Sequence, residues 1–302
     1  MFKLRLAIDW TPNVNHIGFL IGKELGFYEK QGIDLEIVNP QDDNYEMTPG
    51  KKLELDLVDF AIAPFETVVS LNTKANPVRA VAIYAILQND LSCIAALKSS
   101  DITSPARLDT KIYASYKARY EDAIAQEMIK NDGGQGNLKI IYPEKLGIWN
   151  TLLSGKADAT WIFDNWEGVE AEGKNIELTK FKLSDFGIPY GYSPIVLAKK
   201  ENVTAKKVLY SGFIKATQKG YLYAIDHLSE ATAILSRYVT DYDRSNIDLQ
   251  KTISFTLPHF GDETTCGIMK QERVSGFIKW LVDKSMEDHS ILHQDLFTNE
   301  LF

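Results

Sequence analysis

The chain has 302 residues, 45% hydrophobic and 25% charged, with 33 Lys plus Arg against 41 Asp plus Glu, for a net charge of −8. Those fractions fill one large core or two medium ones and exclude a disordered, collagen-like or coiled-coil chain. The acidic balance excludes a nucleic-acid-coating surface, whose affinity comes mainly from cationic side chains.

No apolar run approaches the roughly 20 residues that cross a bilayer. The opening MFKLRLAIDW lacks the apolar stretch of a signal peptide. As written the sequence predicts a cytoplasmic chain; with a native leader removed it would be periplasmic or membrane-tethered.

Strand-like and helix-like segments alternate. Lys3–Asp9 reads as a strand, Ile17–Gln31 as an amphipathic helix and Ile33–Asn39 as a second strand. Asp42–Gly50 is polar and breaks the helix expected there; Leu57–Ile62 (strand), Glu66–Thr73 (helix) and Val78–Leu87 (strand) follow. This rhythm predicts a largely parallel sheet covered by helices on both faces.

A second cycle starts at strand Ser92–Leu97. Strand Lys111–Ala114, helix Tyr120–Asn131, strand Leu138–Tyr142, a helix around Ile148–Ser154 and strand Ala159–Phe163 continue it. The chain then re-enters the first unit through strand Pro194–Lys199, followed by helices Ala205–His227, Ser229–Tyr238, Asp248–Ser254 and Gln271–Lys284. A weak echo links Leu55–Ile62 (LDLVDFAI) to Gly155–Phe163 (GKADATWIF), as two lobes of one design would require.

No GxSxG elbow, phosphate-binding Walker loop or HExxH occurs, and Asp132–Gly136 reads as a helix-ending loop rather than a dinucleotide fingerprint. Cys93 and Cys266 stand far apart and read as reduced thiols, while His289 and His293, four apart, read as solvated imidazoles. No catalytic residue, cofactor or metal is expected.

Aromatic and amide residues instead gather where strands end, the place where open α/β sheets bind ligands. After the first strand come Trp10, Asn13, Asn15 and His16. Asn13 and Asn15 fit either a ligand contact or a cap for the helix that follows. Phe65 and Glu66 stand at the next strand-to-helix junction, where a carboxylate is favourable with or without a ligand. Trp161 and Phe163 share one strand face, with Trp166 and Glu170 just beyond; they suit either the core or a cleft wall, and beside Trp10, Tyr190 and Tyr192 the cleft is favoured.

The run Asp9-Trp10-Thr11-Pro12-Asn13-Val14-Asn15-His16, followed by the segment 26–34 (GFYEKQGID), strongly resembles solute-binding proteins for pyrimidine precursors of thiamine, relatives of the fungal enzyme that makes the thiamine pyrimidine. The segment 161–172, the residues Tyr190, Tyr192, Ser193 and Pro194, and the tail 297–300 carry the likeness along nearly the whole chain. It implies an α/β, two-lobed periplasmic-binding-protein-like fold (type II) with two interlobe crossings, near Gln88–Leu91 and Pro189–Pro194. The lobes expected are residues 1–88 plus 195–302, and an inserted 89–194.

The resemblance also implies closure on a small heteroaromatic ligand, with aromatics sandwiching its ring and carboxylates or amides reading its nitrogens. Glu170 or Glu66 would accept the amine proton, and an ABC-transporter permease would be the partner.

Two departures qualify the likeness. The fungal synthase carries a cysteine-rich motif, a lysine and a histidine for its own chemistry, whereas here the corresponding stretch is Ile62-Ala63-Pro64-Phe65-Glu66, which leaves synthesis as the alternative reading. After strand Lys111–Ala114 the binders are glycine-rich, whereas this chain has Ser115-Tyr116-Lys117-Ala118-Arg119-Tyr120. Tyr116 and Lys117 join the candidate site on that account. The two cations would either hold a phosphate on the ligand at a helix start or pair with Glu121 and Asp122.

Overall fold

In the computed structural model, which describes residues 1–143 and 147–302, the strands form two separate five-stranded sheets. Strands β1 (Phe2–Ala7), β2 (Ile33–Val38), β3 (Phe60–Ala63) and β4 (Ala80–Ala85) come first. Next come β5 (Ser92–Leu97), β6 (Ile112–Ala114), β7 (Lys139–Ile141), β8 (Ala159–Phe163), β9 (Leu178–Lys182) and, last, β10 (Ile195–Lys199). The first sheet runs β2-β1-β3-β10-β4 and the second β7-β6-β8-β5-β9.

Both sheets are mixed, which corrects the largely parallel sheet read from the strand–helix rhythm. β1 is parallel to β2 and β3, but β10 is antiparallel to β3 and β4. Likewise β6 is parallel to β7 and β8, while β5 is antiparallel to β8 and β9. The exceptions share a cause: β5 and β10 are the first strands after each crossing, so they enter from the cleft and run away from it.

The sequence echo marks the middle strand of each sheet, β3 and β8. Just before them, Asp59 accepts the Arg5 backbone N–H at 3.0 Å and Asp158 accepts that of Ile112 at 2.7 Å. The same side-chain clasp thus registers the middle strand against its parallel neighbour in both lobes.

Helix Ile17–Glu24 lies on helix Lys207–Asp226 at a crossing where side chains are missing. A Cβ on Gly220 would stand 2.0 Å from the Gly18 carbonyl oxygen, and one on Gly18 would meet the Tyr221 ring at 2.2 Å. That close approach seats Tyr221, whose hydroxyl donates to the Asn15 carbonyl at 2.6 Å and so fixes the loop after β1.

Some expected elements differ. The helix expected over Ile17–Gln31 stops at Glu24 because Gly26 turns left-handed, φ 65. Lys206 separates helix Lys200–Ala205 from Lys207–Asp226. The polar stretch after β2 holds two short helical turns, Pro40–Asp43 and Pro49–Glu54. Strand β9 carries little sequence signal because its residues, LTKFK, bury only Phe181 on a sheet edge.

Cys93 and Cys266 are separate buried thiols, and His289 and His293 are exposed. Among the described residues no helix is long and apolar enough to cross a membrane.

Candidate functional site

β1 and β3 of the first sheet, and β6 and β8 of the second, deliver their carboxyl ends to one cleft. A cavity of about 230 Å³ lies there, lined by side chains from the segments 9–15, 64–66, 116–121 and 161–167, together with Tyr190 and Ser193 of the second crossing.

The loop after β1 is built from its own hydrogen bonds. Asn13, rather than Asn15, caps the turn Val14–His16: its Oδ1 accepts the Asn15 N–H at 2.9 Å. His16 Nδ1 accepts the Asn13 N–H at 3.1 Å, which leaves Nε2 to donate to Asp9 Oδ1 at 2.8 Å. Buried His16 therefore aims Asp9 without lining the cavity itself.

Flat rings bound the cavity. Trp10 stands edge-on to Tyr116, with centroids 6.5 Å apart, and Trp161 meets Tyr190 at 5.4 Å. Trp10 is 40% exposed and Trp161 only 8%, so the two indoles border the mouth and the depth. Such faces stack on planar heterocycles.

Four carboxyl groups also line it, those of Asp9, Glu66, Glu121 and Glu167, and among the described residues no lysine or arginine does. Burial pushes Glu66 up to about 8, with the neighbouring charge of Glu121 adding to the shift. Among the described residues Glu66 Oε2 has no hydrogen-bond partner. Burial likewise pushes Glu167 up to about 7, although its Oε2 accepts the Phe163 N–H at 2.9 Å. Glu121 is the best provided: Oε1 accepts from the Tyr113 hydroxyl at 2.9 Å and the Tyr116 N–H at 3.1 Å, and Oε2 from the Ala118 N–H at 3.3 Å. Burial still raises its pKa.

Of the residues singled out in the sequence, Trp10, Asn13, Asn15, Glu66, Tyr116, Trp161, Phe163, Trp166 and Tyr190 are brought together around this cavity. Phe65 is buried in the apolar core. Tyr192 is buried beside the crossing, its hydroxyl accepting the Lys270 N–H at 2.9 Å. Glu170 turns to Lys174 Nζ at 2.6 Å and the Tyr242 hydroxyl at 2.7 Å, in a neighbouring cleft that shares Trp10, Trp166 and Glu167.

The sequence leaves two readings for Lys117 and Arg119, a ligand phosphate or pairing with Glu121 and Asp122, and both cations have other neighbours within the protein. Lys117 Nζ lies over the Tyr142 ring, 5.6 Å from its centroid, and Arg119 pairs with Glu287 rather than with Glu121 or Asp122. The backbone N–H groups at the helix start already meet Glu121 and the Ser115 hydroxyl.

Asp9, Pro64, Ala118, Glu121, Glu167 and Ser193 line the cavity without having been singled out. Asp9 and Glu167 lie inside the two aromatic motifs, which was the available signal. Glu121 read as a partner for surface cations.

The crossings are held together from the first lobe. Arg273 donates from Nη1 to the Gln88 carbonyl at 2.5 Å and from Nη2 to the Gly191 carbonyl at 2.8 Å, one on each crossing.

Comparison with known proteins agrees with this architecture. The alkanesulfonate-binding protein SsuA of Xanthomonas axonopodis pv. citri superposes with a TM-score of 0.72 at 12% identity, over 98% of each chain. The formylaminopyrimidine-binding protein of Halalkalibacterium halodurans is 22% identical over 98% of this chain and 89% of its own. The 4-amino-5-hydroxymethyl-2-methylpyrimidine phosphate synthase of Legionella pneumophila is 24% identical over 98% of this chain and 91% of its own. The sequence pattern of the family described as NMT1/THI5 like matches residues 13–231, more than half of the chain, and the protein belongs to that family.

Proposed function

We propose that the chain is a solute-binding protein that closes on a thiamine-type aminopyrimidine, or a similar planar heterocycle, and hands it to the permease of an ABC importer. The closing bodies in this reading are residues 1–88 with 195–302, and 89–194. The observation that carries it is the cavity wall, where five indole or phenol rings combine with four carboxyl groups and, among the described residues, no lysine or arginine. Rings of that kind hold a flat ligand by its faces, and carboxyl groups read its amine and ring nitrogens at the edge. The names of two relatives, a formylaminopyrimidine-binding protein and a pyrimidine phosphate synthase, point to the same ligand chemistry.

Synthesis on the same fold is the second reading, favoured by the names of the Legionella relative and of Saccharomyces cerevisiae synthases that match 56% of this chain at 22% identity. Among the described residues no cysteine, lysine or histidine lines the cavity, whereas the fungal synthase that the chain resembles carries those three residue types for its own chemistry. Native mass spectrometry of freshly purified protein, then of protein mixed with formylaminopyrimidine, tests the proposal. A one-to-one complex supports it. Pyrimidine product or self-modification after incubation with pyridoxal phosphate and iron would replace it with the synthase reading.

A further inference from the structure

Glu66 and Glu121 line the same cavity but are provided for very differently. Glu121 has three donors, one hydroxyl and two backbone N–H groups, which is the environment of an ionised carboxylate. Glu66 is 5% exposed, and its Oε2 has no hydrogen-bond partner among the described residues. A buried carboxylate oxygen left unpaired is costly, whereas a neutral carboxyl at that place costs far less. Two neighbouring carboxyls that share a desolvated wall divide their charge unequally, one ionised and one protonated.

The other groups facing Glu66 leave this assignment intact. Its neighbours are the Tyr120 N–H, the Arg119 guanidinium and the phenols of Tyr120 and Tyr190. Among the described residues Arg119 is the one cation there, and it is engaged by Glu287 and by the Thr73 hydroxyl at 2.7 Å. Glu167 and Asp9 elsewhere on the lining add negative charge only.

We propose that Glu66 meets the ligand as an uncharged carboxylic acid whose Oε2–H donates a hydrogen bond to an acceptor atom of the heterocycle. The inference deepens the aminopyrimidine reading above and rests on it. Glu66 is then a specificity residue. It selects rings that present a nitrogen or carbonyl acceptor on this wall, while the ionised carboxylates opposite take the amine. The proton stays on Glu66 throughout, so no bond is made or broken beyond the hydrogen bond. Its release at high pH removes the donor and places a second negative charge beside Glu121.

The test is calorimetric titration with formylaminopyrimidine across a pH series, on the native protein, Glu66→Gln and Glu66→Ala. Glutamine keeps a neutral donor of the same length. Native affinity is expected to fall by about tenfold per pH unit above pH about 8. Glu66→Gln is expected to stay within about threefold of native at neutral pH and to lose the pH dependence, and Glu66→Ala to bind at least about tenfold more weakly at every pH, as expected when a buried hydrogen bond loses its donor. A Gln variant as weak as the Ala variant, or native affinity that rises with pH, overturns the inference.

Difference infrared spectra of ligand-free native protein and Glu66→Gln provide a readout that needs no ligand. A protonated-carboxyl stretch that vanishes in the variant is expected near neutral pH, and its absence overturns the inference whatever binds. If that band is present but neither formylaminopyrimidine nor 4-amino-5-hydroxymethyl-2-methylpyrimidine binds at any pH, the aminopyrimidine reading fails and the donor role falls with it, while the neutral state of Glu66 stands.

Discussion

Asn165, just beyond β8, donates from its side-chain amide to Asn15 Oδ1 at 2.9 Å, a buried hydrogen bond that ties the second lobe to the loop after β1. The same amide donates to Thr256 Oγ1 at 3.1 Å, and Trp166 and Val169 beside it join the apolar core of the first lobe. The cavity wall and the contact that closes the lobes are therefore one structure.

That linkage predicts ligand-dependent closure. Small-angle scattering of the native protein should show a smaller radius of gyration with saturating pyrimidine than without it. Asn165→Ala leaves the Asn15 acceptor unpaired and should weaken binding by about 1–3 kcal/mol, the cost of an orphaned buried partner. Identical scattering with and without ligand would contradict closure.

Trp10 and Trp161 should each report the ligand. Pyrimidine binding is expected to quench tryptophan fluorescence, and alanine at either position should weaken binding by about 1–3 kcal/mol, as for bases stacked on aromatic side chains. Unchanged affinity in both variants would return the two indoles to a packing role.

The buried acids make stability depend on pH. Glu66 in the folded chain holds its proton to about 8, against an ordinary value of 4.5. The unfolded chain releases that proton earlier, so stability falls as pH rises from about 4.5 to about 8 and levels off beyond. Glu167 adds a fall of the same sign that ends at about 7. Urea denaturation over this range should show the decline, and Glu66→Gln should flatten its upper part. Stability that climbs between neutrality and pH about 8 would contradict the assignment.

Arg273 should matter for both stability and binding because it holds the two crossings at once. Arg273→Ala is expected to cost about 1.5–3 kcal/mol, the range for hydrogen bonds made by charged groups. Denaturation midpoints check the stability effect, and titration checks the accompanying loss of affinity. A variant as stable as native would show that the crossings keep their geometry unaided.

A phosphate on the pyrimidine should weaken binding by more than about tenfold, since like charges brought together at a desolvated site cost several kcal/mol. Lys117, stacked on Tyr142, and Arg119, paired with Glu287, leave the carboxyl groups of the lining uncompensated. Titration with the phosphorylated and unphosphorylated forms decides it; equal or tighter binding of the phosphate would contradict this picture.

Much of this was legible in the sequence because the cleft follows strand ends, and strand ends have local signals. The aromatic and amide residues after β1 and β8, candidate ligand contacts in the sequence, line the cavity, and the Asp59 and Asp158 echo marks both middle strands. The sheet directions were hidden because antiparallel insertion of β5 and β10 depends on which strand follows a crossing, a relationship between distant segments. The Glu66–Glu121 contrast was hidden for a similar reason. Whether a carboxyl is ionised depends on donors such as the Tyr113 hydroxyl, which only the folded β6 loop brings to Glu121. The neighbours of Lys117 and Arg119 in space, Tyr142 and Glu287, are distant in sequence, so neither pairing was legible from the charges alone.

The central claim is that the cavity between the lobes takes an aminopyrimidine, and calorimetric titration of the native protein and Trp161→Ala with formylaminopyrimidine tests it most directly. The expected result is one site per chain in the native protein and an affinity loss of about 1–3 kcal/mol in the variant. No binding heat with the native protein, or binding that Trp161→Ala leaves untouched, would contradict it.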